Sequence, residues 1–570
     1  MTNRGGRVDQ ATFEKIWRVP DGVRRGYADC RFGQLHYALF EPDRATQPPL
    51  VCCHASPVSW RSWQALMPEI GRDRVVIAVD SPGHGDSSKP ATQPAIPDYA
   101  AAIGDALPSL GIDRFDVIGN HTGSKVAVAL ALQQPQSVRR LVLISAPFYS
   151  DAEVATMRAR YAEVPLAEDG GHWLIRWGAM MSSLGKALPP EVVHRIFLET
   201  LRGGAEYEWG HHAAFAYQHA DHLPKVPQPV LVLNPQDEIH SATKRCESNL
   251  RNGRLVNLES SHELTELEPE TFAAMLRDFL DKSADDPDLR DATPASPPRG
   301  PSARSTRVRR GYAEMPFGQL HYLKGAPDGT PRGRPVLCLH ASPRSGRDFG
   351  LIPEVLGRDR IVLAPDMPGL GGSSLPAAPM TIEDWAETML GFLDRMHVDQ
   401  VDVFGYHTGS VTAVALALAA PDRVNRVAAI SLPLLGQTVR EAQFDKIAPD
   451  LAVKADGSHL TSVWQKKWAY RGGTQTLPLF DAFMSDYVRA GPLAYRAYYA
   501  LFGYPLETRL ADVRQPMLVF NPKDEISQNT REAMALVQNG RLVDVDPWGY
   551  GMLDTNPEEI AEYLRAHFDA

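Results

Sequence analysis

The chain has 570 residues, of which 44% are hydrophobic and 22% are charged, and its formal net charge is −10. This composition excludes wholesale disorder, and the length predicts two or more domains. The acidic balance gives no support for nucleic acid or an anionic membrane surface as a partner.

The chain contains a long internal repeat. The segment VRRGYADCRFGQLHY begins at Val23, and VRRGYAEMPFGQLHY begins at Val308, with twelve of the fifteen positions identical. The pairs HASPVS/HASPRS, VDSPGHGDSS/PDMPGLGGSS, GNHTGS/GYHTGS and PVLVLNPQDEI/PMLVFNPKDEI follow in the same order. We therefore predict a tail over 1–20, a first domain over 21–281, a flexible linker over 282–305 and a second domain over 306–570.

Each copy alternates short apolar runs with helical patterns. In the first copy the strands read PLVCCH, RVVIAVD, FDVIGN, LVLISAP, PVLVLN and RLVNLE, which suits strands buried on both faces of a parallel sheet. Aromatic-rich helical segments over about 148–225 and 434–510 interrupt the alternation. The predicted fold class is α/β, with two tandem domains that are each a doubly wound, mostly parallel sheet carrying a helical cap insertion.

Cysteine usage and hydropathy predict the compartment. The five cysteines have no repeated spacing, which suits a reducing environment. The first residues contain no apolar core of signal-peptide length, and no segment offers about 18 uninterrupted apolar residues. We expect a cytoplasmic protein without a membrane partner.

The motifs of both copies resemble those of the α/β-hydrolase fold family. Their order is a strand ending in HASP, then D-x-P-G-x-G-x-S, then a G-x-[nucleophile]-x-G elbow, a cap, an acid after PVLVLN, and a histidine before ExPE. Both elbows read G-x-H-T-G, which resembles a subgroup with histidine in place of serine. The resemblance implies tandem α/β-hydrolase domains, a small-molecule substrate and no cofactor.

In the first copy the resemblance assigns a role to each motif residue. His121 falls on the nucleophile position, Asp237 on the triad acid and His262 on the triad base. The backbone N–H groups of Ser56 and Thr122 would form the oxyanion hole. Only the nucleophile therefore departs from the family pattern.

The second copy departs further from the pattern. His407 occupies its elbow, Asp524 matches the acid, and Ser342 and Thr408 match the oxyanion donors. Tyr550 stands where the first copy has its triad base, and a tyrosine with a pKa of about 10 is a poor base at pH 7. We therefore expect Asp524 to have no imidazole to orient and the second copy to be degenerate and non-catalytic.

Histidine at an elbow is compatible with more than one chemistry. Neutral imidazole could attack an ester and form a labile acyl-imidazole, with His262 activating water, or His121 could act as a general base. A metal held by His121, His262 and Asp237 is disfavoured, because the acid of a triad lies behind its base, and no metal is predicted.

The sequence favours a hydrolase of a small ester, lactone or related carbonyl compound in the first copy. Two alternatives stay open: a carbon–carbon lyase on the same fold, and a non-catalytic protein that binds a ligand or serves as a scaffold. The second copy could pair with the first within the chain and regulate it or shape its pocket.

Overall fold

The protein is described by a computed structural model. The model describes Glu14 and residues 16–260, 264–282, 307–450, 452–469, 471, 475–546, 548–549 and 551–570. In this part of the chain no helix combines the length and the apolarity needed to cross a membrane.

The strands are β1 Val23–Cys30, β2 Gly33–Phe40, β3 Leu50–Cys53, β4 Val76–Val79, β5 Phe115–Asn120, β6 Val138–Ile144, β7 Val230–Asn234, β8 Gly253–Asn257, β9 Val308–Met315, β10 Gly318–Gly325, β11 Val336–Leu339, β12 Val362–Pro365, β13 Val401–Tyr406, β14 Val424–Ile430, β15 Met517–Pro522 and β16 Gly540–Val545. The α-helices are α1 Leu66–Ile70, α2 Ile96–Ala106, α3 Thr122–Gln133, α4 Asp151–Arg160, α5 Gly171–Ser183, α6 Pro190–Leu201, α7 Trp209–Ala216, α8 His219–His222, α9 His240–Lys244, α10 Leu264–Leu267, α11 Pro269–Leu280, α12 Ile352–Leu356, α13 Ile382–Arg395, α14 Thr408–Ala419, α15 Gln437–Asp450, α16 Ser458–Trp468, α17 Leu477–Val488, α18 Tyr495–Gly503, α19 Leu506–Arg509, α20 Ser527–Met534, α21 Met552–Thr555 and α22 Pro557–Phe568.

Two eight-stranded sheets have the same strand order. The first runs β1-β2-β4-β3-β5-β6-β7-β8, and the second runs β9-β10-β12-β11-β13-β14-β15-β16. In the first sheet β2 pairs antiparallel with β1 and β4, and β3 to β8 pair in parallel. The second sheet has the same pairings. The predicted fold class is confirmed.

The central strands are buried on both faces, which explains their continuous apolar sequences. All residues of β3, β5 and β7 are buried. Val51 and Cys53 of β3 pack with α2 and α3, whereas Leu50 and Cys52 pack with α1 and α11 on the other face. Helices on both faces leave the carboxyl ends of the parallel strands as the edge where ligands bind in such sheets.

The described residues form two compact units. The N-terminal unit comprises the described residues of 19–163 and 199–305, and the C-terminal unit comprises those of 1–18, 164–198 and 306–570. The boundary between the units does not lie at the linker alone. The middle of the first copy's cap, 164–198, belongs to the C-terminal unit.

Aromatic packing explains why residues 164–198 belong to the C-terminal unit. The fully buried Trp177 of α5 donates from Nε1 to the carbonyl oxygen of Ala455 at 2.8 Å. Trp464 of α16 donates in return to the carbonyl oxygen of Glu168 at 2.7 Å. Each bond joins positions that lie 287 residues from those of the other, so α5 and α16 make reciprocal contacts within this unit.

Candidate functional site

A sharp turn between β5 and α3 carries His121. Its φ of 49° and ψ of −109° lie in a backbone region that residues other than glycine rarely adopt. A Cβ on Gly119 would lie 2.1 Å from the carbonyl oxygen of Gly123, and a Cβ on Gly123 would lie 2.1 Å from that of Cys53. Both positions therefore require glycine, and the G-x-H-T-G spacing follows from the packing of the turn.

The turn between β13 and α14 has the same shape. His407 has a φ of 48° and a ψ of −111°. A Cβ on Gly409 would lie 1.8 Å from the carbonyl oxygen of Leu339. Both elbows hold a histidine at the carboxyl edge of a parallel sheet, where open α/β sheets bind ligands.

In the first copy the elbow histidine lies beside the predicted acid. His121 Nε2 is 3.4 Å from Asp237 Oδ2, and the histidine side chain is 25% exposed while the carboxylate is buried. The carboxylate also accepts from Ser145 Oγ at 2.8 Å and from the Ile239 N–H at 2.9 Å. Burial opposes ionisation of Asp237, but the interactions with His121, Ser145 and Ile239 outweigh it and lower the pKa of this carboxyl.

The second copy has the same arrangement at a shorter distance. His407 Nε2 is 3.0 Å from Asp524 Oδ2, and that carboxylate accepts from Ser431 Oγ at 2.6 Å and from the Ile526 N–H at 2.9 Å. The expectation that Asp524 has no imidazole to orient is therefore wrong. Histidine is longer than the serine of the usual elbow, so its ring reaches the carboxylate directly.

The predicted base and its counterpart, His262 and Tyr550, lie outside the described residues. Their assignments stay predictions. Among the residues that the structure describes, no group of three or more His, Cys, Asp or Glu side chains could hold a metal ion. The described part of the site is therefore a histidine and a carboxylate.

The predicted oxyanion donors follow strand ends in both copies. Thr122 and Thr408 are the first residues of α3 and α14 and are buried, and the N–H groups at a helix start have no partner within the helix. Ser56 and Ser342 are half-buried in the loops that follow β3 and β11. The role of these four N–H groups stays a prediction.

The HASP loop of the first copy is held by its own histidine. His54 Nε2 accepts from the Ser81 N–H at 2.9 Å, so Nδ1 carries the proton and donates to the carbonyl oxygen of Ala55 at 2.6 Å. Burial lowers the pKa of His54, which keeps the ring neutral. Asp80 likewise fixes the next loop by accepting from the Asp86 N–H at 2.9 Å. These groups position the loops and are distinct from the elbow histidine.

The sequence analysis did not identify the two serines whose hydroxyl groups donate hydrogen bonds to the acids Asp237 and Asp524. Ser145 and Ser431 directly follow β6 and β14, and both have a positive φ, 62° and 58°. The shared letters I-S-x-P at the end of LVLISAP and VAAISLP were the available signal.

Lys125 connects the elbow helix α3 to α7, a helix within the predicted cap of the first copy. Its Nζ donates to the carbonyl oxygens of Ala214 at 2.8 Å and Tyr217 at 2.6 Å, at the carboxyl end of α7. Burial lowers the pKa of Lys125 to about 7. A cation suits the carbonyl end of a helix, so this lysine fastens α7 to α3.

A family model described as the alpha/beta hydrolase fold matches residues 48–165 and 334–501, together half of the chain. The chain belongs to the α/β-hydrolase fold family. Its two matched regions contain both histidine elbows and both HASP loops.

Curated relatives of this α/β-hydrolase-fold chain match over short stretches. The chain is 36% identical over 102 residues to a 2-hydroxy-6-oxo-2,4-heptadienoate hydrolase of Pseudomonas putida, covering 17% of this chain and 37% of that protein. It is 39% identical over 103 residues to a 2-hydroxymuconate semialdehyde hydrolase of a Pseudomonas species, covering 17% and 35%. The matches thus span about a third of these relatives.

Solved structures match less than half of this chain at low identity. An enol-lactonase from Burkholderia xenovorans LB400 is 18% identical, with a TM-score of 0.39, and the match covers 45% of this chain and 100% of that one. A hydrolase from Pseudomonas aeruginosa PA01 is 20% identical, with a TM-score of 0.40, and the match covers 46% and 98%.

Proposed function

We propose that the first copy hydrolyses a small ester, lactone or related carbonyl compound. His121 is the working imidazole, Asp237 orients it, His262 is a second base, and the N–H groups of Ser56 and Thr122 stabilise the oxyanion. The observation that carries the proposal is the approach of His121 Nε2 to Asp237 Oδ2 at 3.4 Å within an intact elbow turn. The names of the curated relatives, which are hydrolases, support the same reaction class.

The pairing of imidazole and carboxylate supports general-base catalysis. A carboxylate beside Nε2 fixes the tautomer of His121 and stabilises the imidazolium that forms when the ring takes a proton. Proton exchange with water or substrate would then run through Nδ1. Water would add to the acyl carbon, the ring would take its proton, and the same proton would leave with the alcohol as the acyl bond breaks.

Direct attack by His121 is the other route within this proposal. The ring nitrogen would bond to the acyl carbon, the alcohol would leave, and water activated by His262 would release the acid from the acyl-imidazole. A rapid release of alcohol before steady state would distinguish this route, because general-base catalysis has no covalent intermediate.

The two alternatives predict different results. A carbon–carbon lyase would leave simple esters intact and would release a ketone or aldehyde from a hydroxy- or diketo-substrate. A scaffold protein would be stabilised by its ligand without turning it over.

The test is the initial rate on a panel of short, neutral, activated esters and lactones. We expect the rate to fall about a hundredfold or more in His121→Ala and His262→Ala, and less in the matched variant His407→Ala. A wild-type protein without activity, or an equal rate in His121→Ala, would refute the proposal. Melting temperatures of the variants check that each still folds.

We also propose that the two copies work as an intramolecular pair. The proposal is supported by the cap segment 164–198, which belongs to the compact unit of the second copy. The first copy alone, 21–281, should be inactive, and adding the separately made second copy should restore activity. Full activity of the first copy alone would contradict the pairing. Location in the cytoplasm stays a prediction.

A further inference from the structure

We propose that the second copy is a second active centre, in which His407 and Asp524 hydrolyse an ester or lactone that bears a carboxylate, and Arg344 and Lys467 recognise that carboxylate. The inference rests on the proposed elbow chemistry but assigns it to a different site and a different substrate class. It replaces the expectation that the second copy is degenerate.

In the described residues, the second copy has the same pair of elbow histidine and carboxylate as the first; we call this the working pair. The elbow backbone angles of the two copies agree within 2°. His407 approaches its carboxylate to 3.0 Å, against 3.4 Å for His121, and the His407 side chain is 17% exposed, so it remains open to a ligand. A copy that had lost its chemistry would have no need of a strained histidine in contact with a buried acid.

A buried arginine distinguishes the second pocket from the first. Arg344 directly follows the HASP motif, at the position that Val58 occupies in the first copy, and its side chain is 6% exposed. Its guanidinium carbon lies 5.0 Å from the ring centre of Tyr406, which directly precedes His407, and 4.3 Å from that of Phe483 in α17. The cation therefore lies between the elbow and the cap.

A second cation reaches the same region from the cap. Lys467 of α16 lies with Nζ 2.9 Å from Glu525 Oε1, and Glu525 directly follows the acid of the working pair. Aligning the D-G-x-H segments of the two caps places Met180 at the equivalent position of the first copy. Two apolar positions of the first copy are thus cationic in the second.

Arg344 has a buried acid, Asp348, as a partner within its own copy. Asp348 forms an ion pair with Arg344 and accepts from the Ala341 N–H at 3.1 Å. Burial raises the pKa of Asp348 to about 7, although Arg344 opposes this shift. A guanidinium has five N–H groups in a planar fork, which suits the recognition of a carboxylate.

The reaction balances without a cofactor. Water adds to the acyl carbon, His407 takes the water proton, the bond to the alkoxy oxygen breaks, and His407 returns the proton to the leaving alkoxide. The products are an alcohol and a diacid, or a hydroxy-diacid from a lactone. The substrate carboxylate takes no part in these steps and serves only for binding.

The experiment compares two esters on the full chain: 4-nitrophenyl hydrogen adipate, which carries a free carboxylate, and its neutral methyl ester. The readout is the ratio of kcat/KM for the charged ester to that for the neutral one. We expect this ratio to fall about thirtyfold in Arg344→Met, mainly through KM, with partial recovery in Arg344→Lys, and to fall also in His407→Ala. The matched variant Val58→Met controls for a change at the equivalent position of the first copy.

Several outcomes overturn the inference. A ratio that is the same in wild type, Arg344→Met and His407→Ala would refute it, as would equal losses on both esters in Arg344→Met, which indicate a structural arginine. If neither ester is hydrolysed, calorimetric titration with monomethyl adipate decides, and equal or no binding in wild type and Arg344→Met refutes the site. A different result would refute the proposal for the first copy: hydrolysis of the neutral ester at the same rate with and without His121. The two proposals can therefore fail independently.

Discussion

Acid should destabilise the C-terminal unit through a buried histidine of its cap. His459 is 6% exposed, its ring centre lies 4.9 Å from that of His194 and 5.5 Å from that of Trp177, and its Nδ1 accepts from the Lys454 N–H at 3.3 Å. Burial lowers its pKa from 6.5 to about 4. The folded state therefore binds this proton less readily than the unfolded chain, and stability is lost as the pH falls from about 6.5 towards 4.

The pKa difference sets the size of the effect. At pH 5 the unfolded histidine is almost fully protonated and the folded one almost neutral, so the linkage relation gives a loss of about 2 kcal/mol relative to pH 7.5. His459→Phe keeps the ring contacts but cannot take up a proton. Between pH 7.5 and 5.0 we therefore expect its free energy of unfolding to fall by about 2 kcal/mol less than that of wild type. Urea unfolding at pH 7.5 and 5.0, followed by tryptophan fluorescence, measures both changes.

The mutation also changes packing and removes the hydrogen bond from Lys454. This change in stability is present at both pH values, so it cancels when the two are compared. The matched control is His397→Asn, since His397 is exposed and has a positive φ of 55°, which asparagine tolerates. The control should retain the wild-type pH dependence. Equal pH-dependent losses in wild type and His459→Phe would refute the reasoning.

Three further predictions follow from packing. Gly123→Ala should lower the melting temperature sharply or prevent folding, because its Cβ would lie 2.1 Å from the carbonyl oxygen of Cys53, and normal expression and melting would contradict this. Lys125→Met should cost about 1–3 kcal/mol in urea unfolding, since it leaves two helix carbonyls without their donor, and an unchanged midpoint would count against that role. All five cysteines are buried, so a thiol reagent should react slowly with the folded protein and with five thiols in urea; rapid native reaction would be inconsistent with the packing.

The sheets could be predicted from the sequence because buried parallel strands have a distinctive composition. Runs such as PVLVLN leave no polar face, and the turn glycines fix the elbow. The membership of residues 164–198 in the C-terminal unit could not be predicted. The apolar stripe of α5 shows that the helix is buried but does not identify the chain segment that covers it.

The contact between elbow histidine and acid was also missed, for a different reason. The triad template places the acid behind a separate base, and this led to the expectation that Asp524 lacked an imidazole. Side-chain length, which the template ignores, brings His407 to 3.0 Å from Asp524. The difference between Val58 and Arg344 was visible in the repeat alignment, but its meaning depends on Tyr406 and Phe483, which only the fold brings together.

The most direct test of the account is the effect of Asp237→Asn on kcat/KM for the best neutral ester. The substitution keeps the size of the side chain and, through the amide oxygen, the bond from the Ile239 N–H, but it removes the charge that orients and stabilises His121. The account predicts a loss of about a hundredfold or more at an unchanged melting temperature. A kcat/KM equal to that of wild type would contradict the claim that the elbow histidine and its carboxylate are the working pair.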